Sequence, residues 1–364
     1  MSRSFNLISG VAAFALGAVA TAHAGSLAAN PYSPTYGHEY RHGAVPTVEN
    51  LQKMHAWAAF NPDFAAATGP NTLRYGGGID GIGVTSGLPK VYLVVYGSQW
   101  GTAGSDANGN LTLSKDTKGA LPRLQQLFRG VGTGGEKWSG VMTQYCDGAS
   151  VASGATSCPS GAAKVKYPTG GALAGVWYDN SVSSPTAASG NQLAKEAVKA
   201  AGHFGNTTAA SNRFAQYVIL SPPGSNHDHY KTGGFCAWHD YNGDTTLSGG
   251  AAASNFGDIA FTNMPYITDA GASCGANFVN SGSAGALDGV TIVEGHEYAE
   301  TLSDQNPGGG WLNFNSGEEN ADECAWISSG QGASANVTMG NGTYAMQSTW
   351  SNDTNRCDIS HTVL

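Results

Sequence analysis

Charge is scarce in this chain. Only 12% of its 364 residues are Asp, Glu, Lys or Arg, and 17 Lys and Arg face 26 Asp and Glu, a net charge of −9. A surface of that sign repels phosphate backbones and anionic lipid heads, so no nucleic-acid partner is expected. After residue 24 no apolar run approaches the ~20 residues that a membrane-spanning helix needs, so no membrane span is expected. No two cysteines stand in a CxxC pair, which argues against a thiolate zinc site. The GxxxxGK[ST] loop of nucleotide hydrolases is missing, and no repeat of 20–50 residues recurs. Glycine, in contrast, is abundant at 52 residues, beside 10% aromatic and 41% hydrophobic residues. That balance excludes a disordered or collagen-like chain and favours a loop-rich fold with a real core over a helical bundle.

Residues 1–24 read MSRSFNLISGVAAFALGAVATAHA, one Arg before an apolar stretch that ends in the small-x-small pattern of signal-peptidase sites. Cleavage is expected after Ala24. Gly25, not cysteine, follows, so no lipid anchor is implied. The reading is a secreted, extracellular or periplasmic protein, acting as a monomer. An even set of six cysteines suits that compartment, and three local bridges are expected: Cys146–Cys158, Cys236–Cys274 and Cys324–Cys357.

Residues 25–85 are rich in Pro, Gly, Ala and Asn and read as an N-terminal extension or pro-segment, with one helical pattern at Val48–Phe60. The domain proper is assigned to 86–364. Val91–Tyr96 and Gln216–Ser221 are short apolar runs typical of buried strands, and Asp258–Phe261 and Gly140–Tyr145 are weaker strand candidates. Lys118–Arg129 and Gln192–Phe204 have helical periodicity. The alternation predicts an α/β (α+β) fold, a mixed central sheet flanked by helices and joined by glycine-rich loops.

Segment 284–305, AGALDGVTIVEGHEYAETLSDQ, is the helix that carries chemistry. Asp288 is its expected N-cap, and Pro307 with the glycines behind it marks its end. Inside it lies His296-Glu-Tyr-Ala-Glu300, the HExxH of zinc peptidases with Glu in place of the second His. Positions i and i+4 share a helical face, so the His296 imidazole and the Glu300 carboxylate can converge on one ion. Glu297 occupies the flank from which a general base takes a proton from metal-activated water. A third ligand is sought in Gly317–Trp326. Glu319 is the choice, Glu318 and Asp304 are the competitors, and Asp322 is expected to orient His296 through its second ring nitrogen. An oxygen-rich shell of this kind suits Zn²⁺ and also admits Mn²⁺ or Ca²⁺.

The stretch GHEYAETLSDQNPGGGW, with Glu319–Trp326 and the closing Gln347-Ser-Thr-Trp-Ser-Asn before Cys357, resembles a group of secreted bacterial and fungal proteins. These are zincin-like metallopeptidases sharing HEyxEa-tDP…W…E-x-x-D-x-C-x-W…WSN…C, remotely similar to the plant EXORDIUM (phosphate-induced) proteins. The likeness spans roughly 90–357, includes Phe235-Cys-Ala-Trp-His239, and is most specific over 294–326. It implies a zincin-like active-site helix and a functional set of His296, Glu297, Glu300, Glu319 and Asp322. Where many members have Asp-Pro after the helix, this chain has Asp304-Gln-Asn-Pro307.

Other signals are weaker. His38-Glu-Tyr-Arg-His42 is formally a complete HExxH, but Pro34, Gly37, Gly43 and Pro46 enclose it, so a mobile N-terminal segment is expected there. Gly130–Gly135 spells GxGxxG after a helix rather than a strand, and Asp106–Asn110 is a turn rather than a calcium loop. One of His227, His229, His239 or Tyr230 is a candidate for lining the cleft, whereas Tyr298 reads as core and Trp311 and Trp326 as packing beside the site. The expected activity is a secreted zinc endopeptidase acting on a protein or peptide substrate. The alternative is a non-catalytic binding protein that keeps the fold and a structural metal. A glycosidase would need two carboxyls facing each other across a sugar cleft, which neighbours on one helix do not provide.

Overall fold

The computed structural model of the chain describes residues 30–61 and 72–364. The expected signal peptide lies outside the described residues, as does part of the N-terminal extension. A six-stranded mixed sheet forms the centre of an α/β fold. Its strands are β1 (His42–Pro46), β2 (Lys90–Tyr96), β3 (Leu173–Asp179), β4 (Ala215–Leu220), β5 (Phe235–Tyr241) and β6 (Ala260–Met264). They lie in the order β1-β5-β6-β4-β2-β3. The run β6-β4-β2-β3 is parallel, whereas β5 is antiparallel to both β6 and β1.

Alternation explains why these segments are strands. In β2, Val91, Leu93 and Val95 enter one core and Tyr92, Val94 and Tyr96 the other; β4 divides Val218 and Leu220 from Tyr217 and Ile219 in the same way. A strand apolar on both sides must be covered on both sides. Helices α2 (Ala120–Gly130) and α4 (Asp288–Ser303) cover the first face, α3 (Gly190–His203) the second, and α1 (Val48–Phe60) follows the edge strand β1. The helical pattern at Val48–Phe60 is thus found, with Thr47 as its cap accepting a hydrogen bond from the Asn50 amide. A Ser189–Gln192 capping box starts α3.

Every residue of α4 is buried. It runs through the interior, with Gly342–Met346, the second strand of the hairpin Ala335–Met339/Gly342–Met346, packed against it. Close packing requires its glycines: a Cβ on Gly289 would stand 1.8 Å from the Cys274 carbonyl oxygen. The three expected disulfides are present, Cys146–Cys158, Cys236–Cys274 and Cys324–Cys357. Among the described residues no helix is long and apolar enough to cross a membrane.

Some local expectations differ from the structure. Gly140–Tyr145 is not a strand: Val141–Gln144 forms a buried 3-10 turn whose amides bond three residues back, so they are not free to join a ladder. Asp288 is the first residue of α4 rather than its cap, since its carboxylate accepts the Val279 and Asn280 amides. The weak strand at 258–261 is shifted to Ala260–Met264. Residues 38–41 form turns that lead into β1, which begins at His42, so no helix forms there, and they are held in place. Arg41 forms a buried ion pair with Asp228 at 2.7 Å, and the Tyr40 hydroxyl donates to the same carboxylate. The stretch assigned to an extension therefore contributes β1 to the central sheet.

Candidate metal centre

Helix α4 delivers His296, Glu297 and Glu300 to the end of the sheet where β5 carries His239, and the loop after Trp311 brings Glu319 and Asp322 to the same place. His296, Glu297 and Glu300 have no solvent exposure, and His239 and Glu319 almost none. His296 Nε2 lies 3.0 Å from Glu300 Oε2 and 3.4 Å from Asp322 Oδ1. His239 Nε2 lies 3.2 Å from Glu319 Oε2 and 3.7 Å from Glu300 Oε2. Two overlapping sets of ligand atoms result, His296–Glu300–Asp322 and His239–Glu297–Glu300, each with all atoms within 4.8 Å of one another. Glu300 belongs to both.

The structure places Asp322 and Glu319 differently from the sequence-based assignment. Asp322 does not reach the second ring nitrogen of His296. That nitrogen, Nδ1, meets Gln347 Oε1 at 3.1 Å. The Gln347 amide is fixed because its Nε2 donates to the Ala321 and Ser348 carbonyls, so Oε1 must accept and Nδ1 must donate. Asp322 sits instead on the Nε2 side. Its own amide donates to Glu300 Oε1 and its Oδ2 accepts the Glu319 amide, a local turn that aims its carboxylate at the imidazole. Glu319, three residues earlier, is thereby turned across to His239. Asp304, a competitor for the third ligand, accepts amides from Gly308 and Gly310 and closes the loop behind α4. Glu318 lines a neighbouring cleft of about 350 Å³, together with Arg41, His42, Gly43 and Asp322.

A backbone group completes the cluster: the carbonyl oxygen of Gly43, on β1, lies 3.2 Å from His296 Nε2. Thus Nε2 faces three oxygens, and the donating Nδ1 faces a fourth. A neutral imidazole cannot satisfy that arrangement; an imidazolium or a cation among the oxygens can. Burial alone would lower the His296 pKa, but Glu300 and Asp322 reverse this and leave it well above its ordinary value. Burial pushes Glu300 up to about 8, helped by Asp322, and pushes Glu297 well above the usual carboxylate range. Glu319 is raised by burial and then by Asp304 and Glu300. His239 is pulled well below its ordinary value by burial, then by His42 and His296.

The donor set fits a divalent ion on two further observations. Both oxygens of Glu297 are buried with no hydrogen-bond partner, and the one donor near Glu300 Oε2 is the His296 ring that it shares with Asp322. Also, no lysine or arginine among the described residues forms an ion pair with any carboxylate of the cluster. Such buried carboxylates need protons or a cation. Of the residues missed or only loosely assigned by sequence reasoning, His239 was one of four candidates, Gln347 was quoted only within a motif, and Glu294, buried one turn above Tyr298 with both oxygens unpartnered, had no signal. His227 is hydrogen-bonded to Ser221 and the Pro185 carbonyl, and Tyr230 is buried in the α3-side core. Gly271-Ala-Ser273-Cys-Gly275 matches the GxSxG of serine hydrolases, yet Ser273 Oγ bonds Glu49 on a short 3-10 turn, away from any strand-to-helix elbow. No protein-family model, curated protein or solved structure matches this chain.

Proposed function

We propose that the chain is a metal-dependent hydrolase of peptide bonds, centred on α4. The observation that carries this reading is the convergence of His296 Nε2, Glu300 Oε2 and Asp322 Oδ1 beside a Glu297 whose two oxygens are buried and unpartnered. The resemblance of 294–326 to secreted HExxE proteins points the same way. His296, Glu300 and Asp322 would hold the ion, with Gln347 keeping the His296 ring oriented. One imidazole and two carboxylates suit Zn²⁺ or Mn²⁺. A divalent ion in that place supplies Lewis acidity, polarising a carbonyl and acidifying water. Glu297 has the free oxygens to take a proton from the attacking water and return it to the leaving amine.

β1 gives this site its resting state. With the Gly43 carbonyl against His296, and His296 and Glu300 buried, the site meets the neighbouring cleft only at Asp322 and Glu319, and withdrawal of the strand would open the rest to substrate. The same observation favours a second reading, a secreted binding protein with a structural ion. Casein hydrolysis and metal content of the purified protein separate the two. Chelation should abolish hydrolysis and Zn²⁺ restore it, and Glu297→Gln should keep the ion while losing at least ~100-fold in rate. Full activity in Glu297→Gln removes that residue from catalysis. A metal-bearing protein that never cleaves, even with the strand displaced, favours the binding role.

A further inference from the structure

We propose a second divalent-cation site, formed by His42 of β1 with Asp240 and Asp244 at the end of β5. The ligand atoms of these three side chains lie within 4.8 Å of one another. The site is separate from the first cluster. The two share no residue: alternation along β5 turns Asp240 to the face opposite His239, and the His42 ring reaches Asp244, beyond the end of β5, at 3.3 Å.

Asp240 supplies the observation that demands a ligand. It is fully buried, its Oδ1 accepts the Tyr241 amide, and its Oδ2 has no N–H or hydroxyl donor; its one close polar neighbour is the Asp244 carboxylate, so the pair needs a proton or a cation between them. Asp244 Oδ2 stands 3.3 Å from His42 Nε2, and its two oxygens also accept the amide and hydroxyl of Thr246. The neighbourhood is uniformly acidic: Asp80, Asp244, Asp258 and Asp240 all act on Tyr241. Among the described residues no lysine or arginine forms an ion pair with any of these four carboxylates. A buried carboxylate oxygen with no donor is costly, and two carboxylates balance the charge of one divalent ion.

The ligand chemistry narrows the ion. Asn242 is not available, because its side chain donates to the Ala252 carbonyl and accepts the Ile259 amide. One imidazole nitrogen and two carboxylate oxygens, with water completing the shell, suit Zn²⁺ or Mn²⁺; Ca²⁺ takes six to eight oxygens. Since His42 precedes Gly43 and pairs with His239 in register, an ion here cross-links β1 to β5 and holds the Gly43 carbonyl over the first cluster. The existence of this site does not depend on the hydrolase reading.

The test is equilibrium dialysis of the chelator-stripped, full-length mature protein against Zn²⁺, with bound metal counted by elemental analysis. Amide exchange of the 42–46 segment, read at His42, Gly43, Ala44 and Val45 because Pro46 has no N–H, is followed in parallel. The wild type should bind two ions, and Asp244→Asn and His42→Gln one each. Glu300→Gln should also bind one, and Zn²⁺ should slow exchange at 42–46 by about tenfold in Glu300→Gln but not in Asp244→Asn. Because the His42 side chain is 30% exposed, His42→Gln serves if Asp244→Asn does not fold. One ion in both wild type and Glu300→Gln, with none in Asp244→Asn, supports this site while removing the first. Asp244→Asn and His42→Gln that bind as many ions as the wild type, with equal affinity, overturn the proposal, as does a wild type that binds none.

Discussion

Gly43→Ala is the sharpest perturbation that the structure offers. Gly43 has φ +54°, a left-handed conformation that costs an L-residue ~1–2 kcal/mol. A Cβ there would lie 1.9 Å from Glu300 Oε2 and 2.8 Å from the His239 ring. Neither neighbour can give way. Glu300 is buried with Oε1 tied to the Asp322 amide, and His239 is buried between Glu300 and Glu319. The strand must therefore withdraw, against anchors on both sides: the Arg41–Asp228 pair, the Thr47 amide on the Gly234 carbonyl, and Trp326 Nε1 on the Pro46 carbonyl at 2.6 Å. Strain and lost contacts together should cost about 3 kcal/mol, or about 4 °C in Tm for a chain of this size. Gly37 is the internal control: φ is +72° and no atom lies within 4 Å of its Cβ position, so Gly37→Ala should cost only the backbone strain. Thermal unfolding and amide exchange at 42–46 read both variants. Equal losses in the two, with unchanged exchange at 42–46 in Gly43→Ala, would refute the seating of β1 on the cluster.

Two further outcomes concern the rest of the fold. Replacing Cys236 and Cys274 by Ala opens a loop with a sequence separation of 38 and should cost about 4 kcal/mol. The same change at Cys146–Cys158, separation 12, should cost about 3 kcal/mol; urea titration checks the order, and a reversed order contradicts the chain-entropy argument. Burial, with Asp179 beside it, pushes Glu196 up to about 8. The folded pKa exceeds the unfolded one, so this group's contribution is full below its ordinary value and is lost as pH rises through 8. Glu196→Gln should therefore flatten the fall in Tm between pH 5 and 8, a difference of about 3 kcal/mol in the wild type. A gap between variant and wild type that stays constant with pH removes the assignment.

Local chemistry was sufficient to find β2, β4, α1, α2 and α3, because each carries its own periodic or continuous apolar signal. It also sufficed for the three disulfides, since each pairs cysteines near in sequence, and for the His296–Glu300 face, since i and i+4 meet on any helix. Strands β1, β3 and β5 were not legible in this way. His42–Pro46 is short, contains Gly and Pro, and is a strand only because β5 offers it an edge.

That Asp322 rather than Glu319 stands beside His296 likewise needed the tertiary structure. Both are acidic residues in one loop, and which reaches His296 depends on the backbone bond from the Asp322 amide to Glu300, far away in sequence. Sequence by itself determined the fold class, the pairing of the cysteines and the helix that gathers the charges. Only the assembled fold decided that α4 is buried on every side, and that a strand near the N-terminus lies across the cluster. The physical reason is range: periodicity reports interactions within a few residues, whereas burial of a charge and the pairing of an edge strand depend on partners some 250 positions apart, as Gly43 and His296 are.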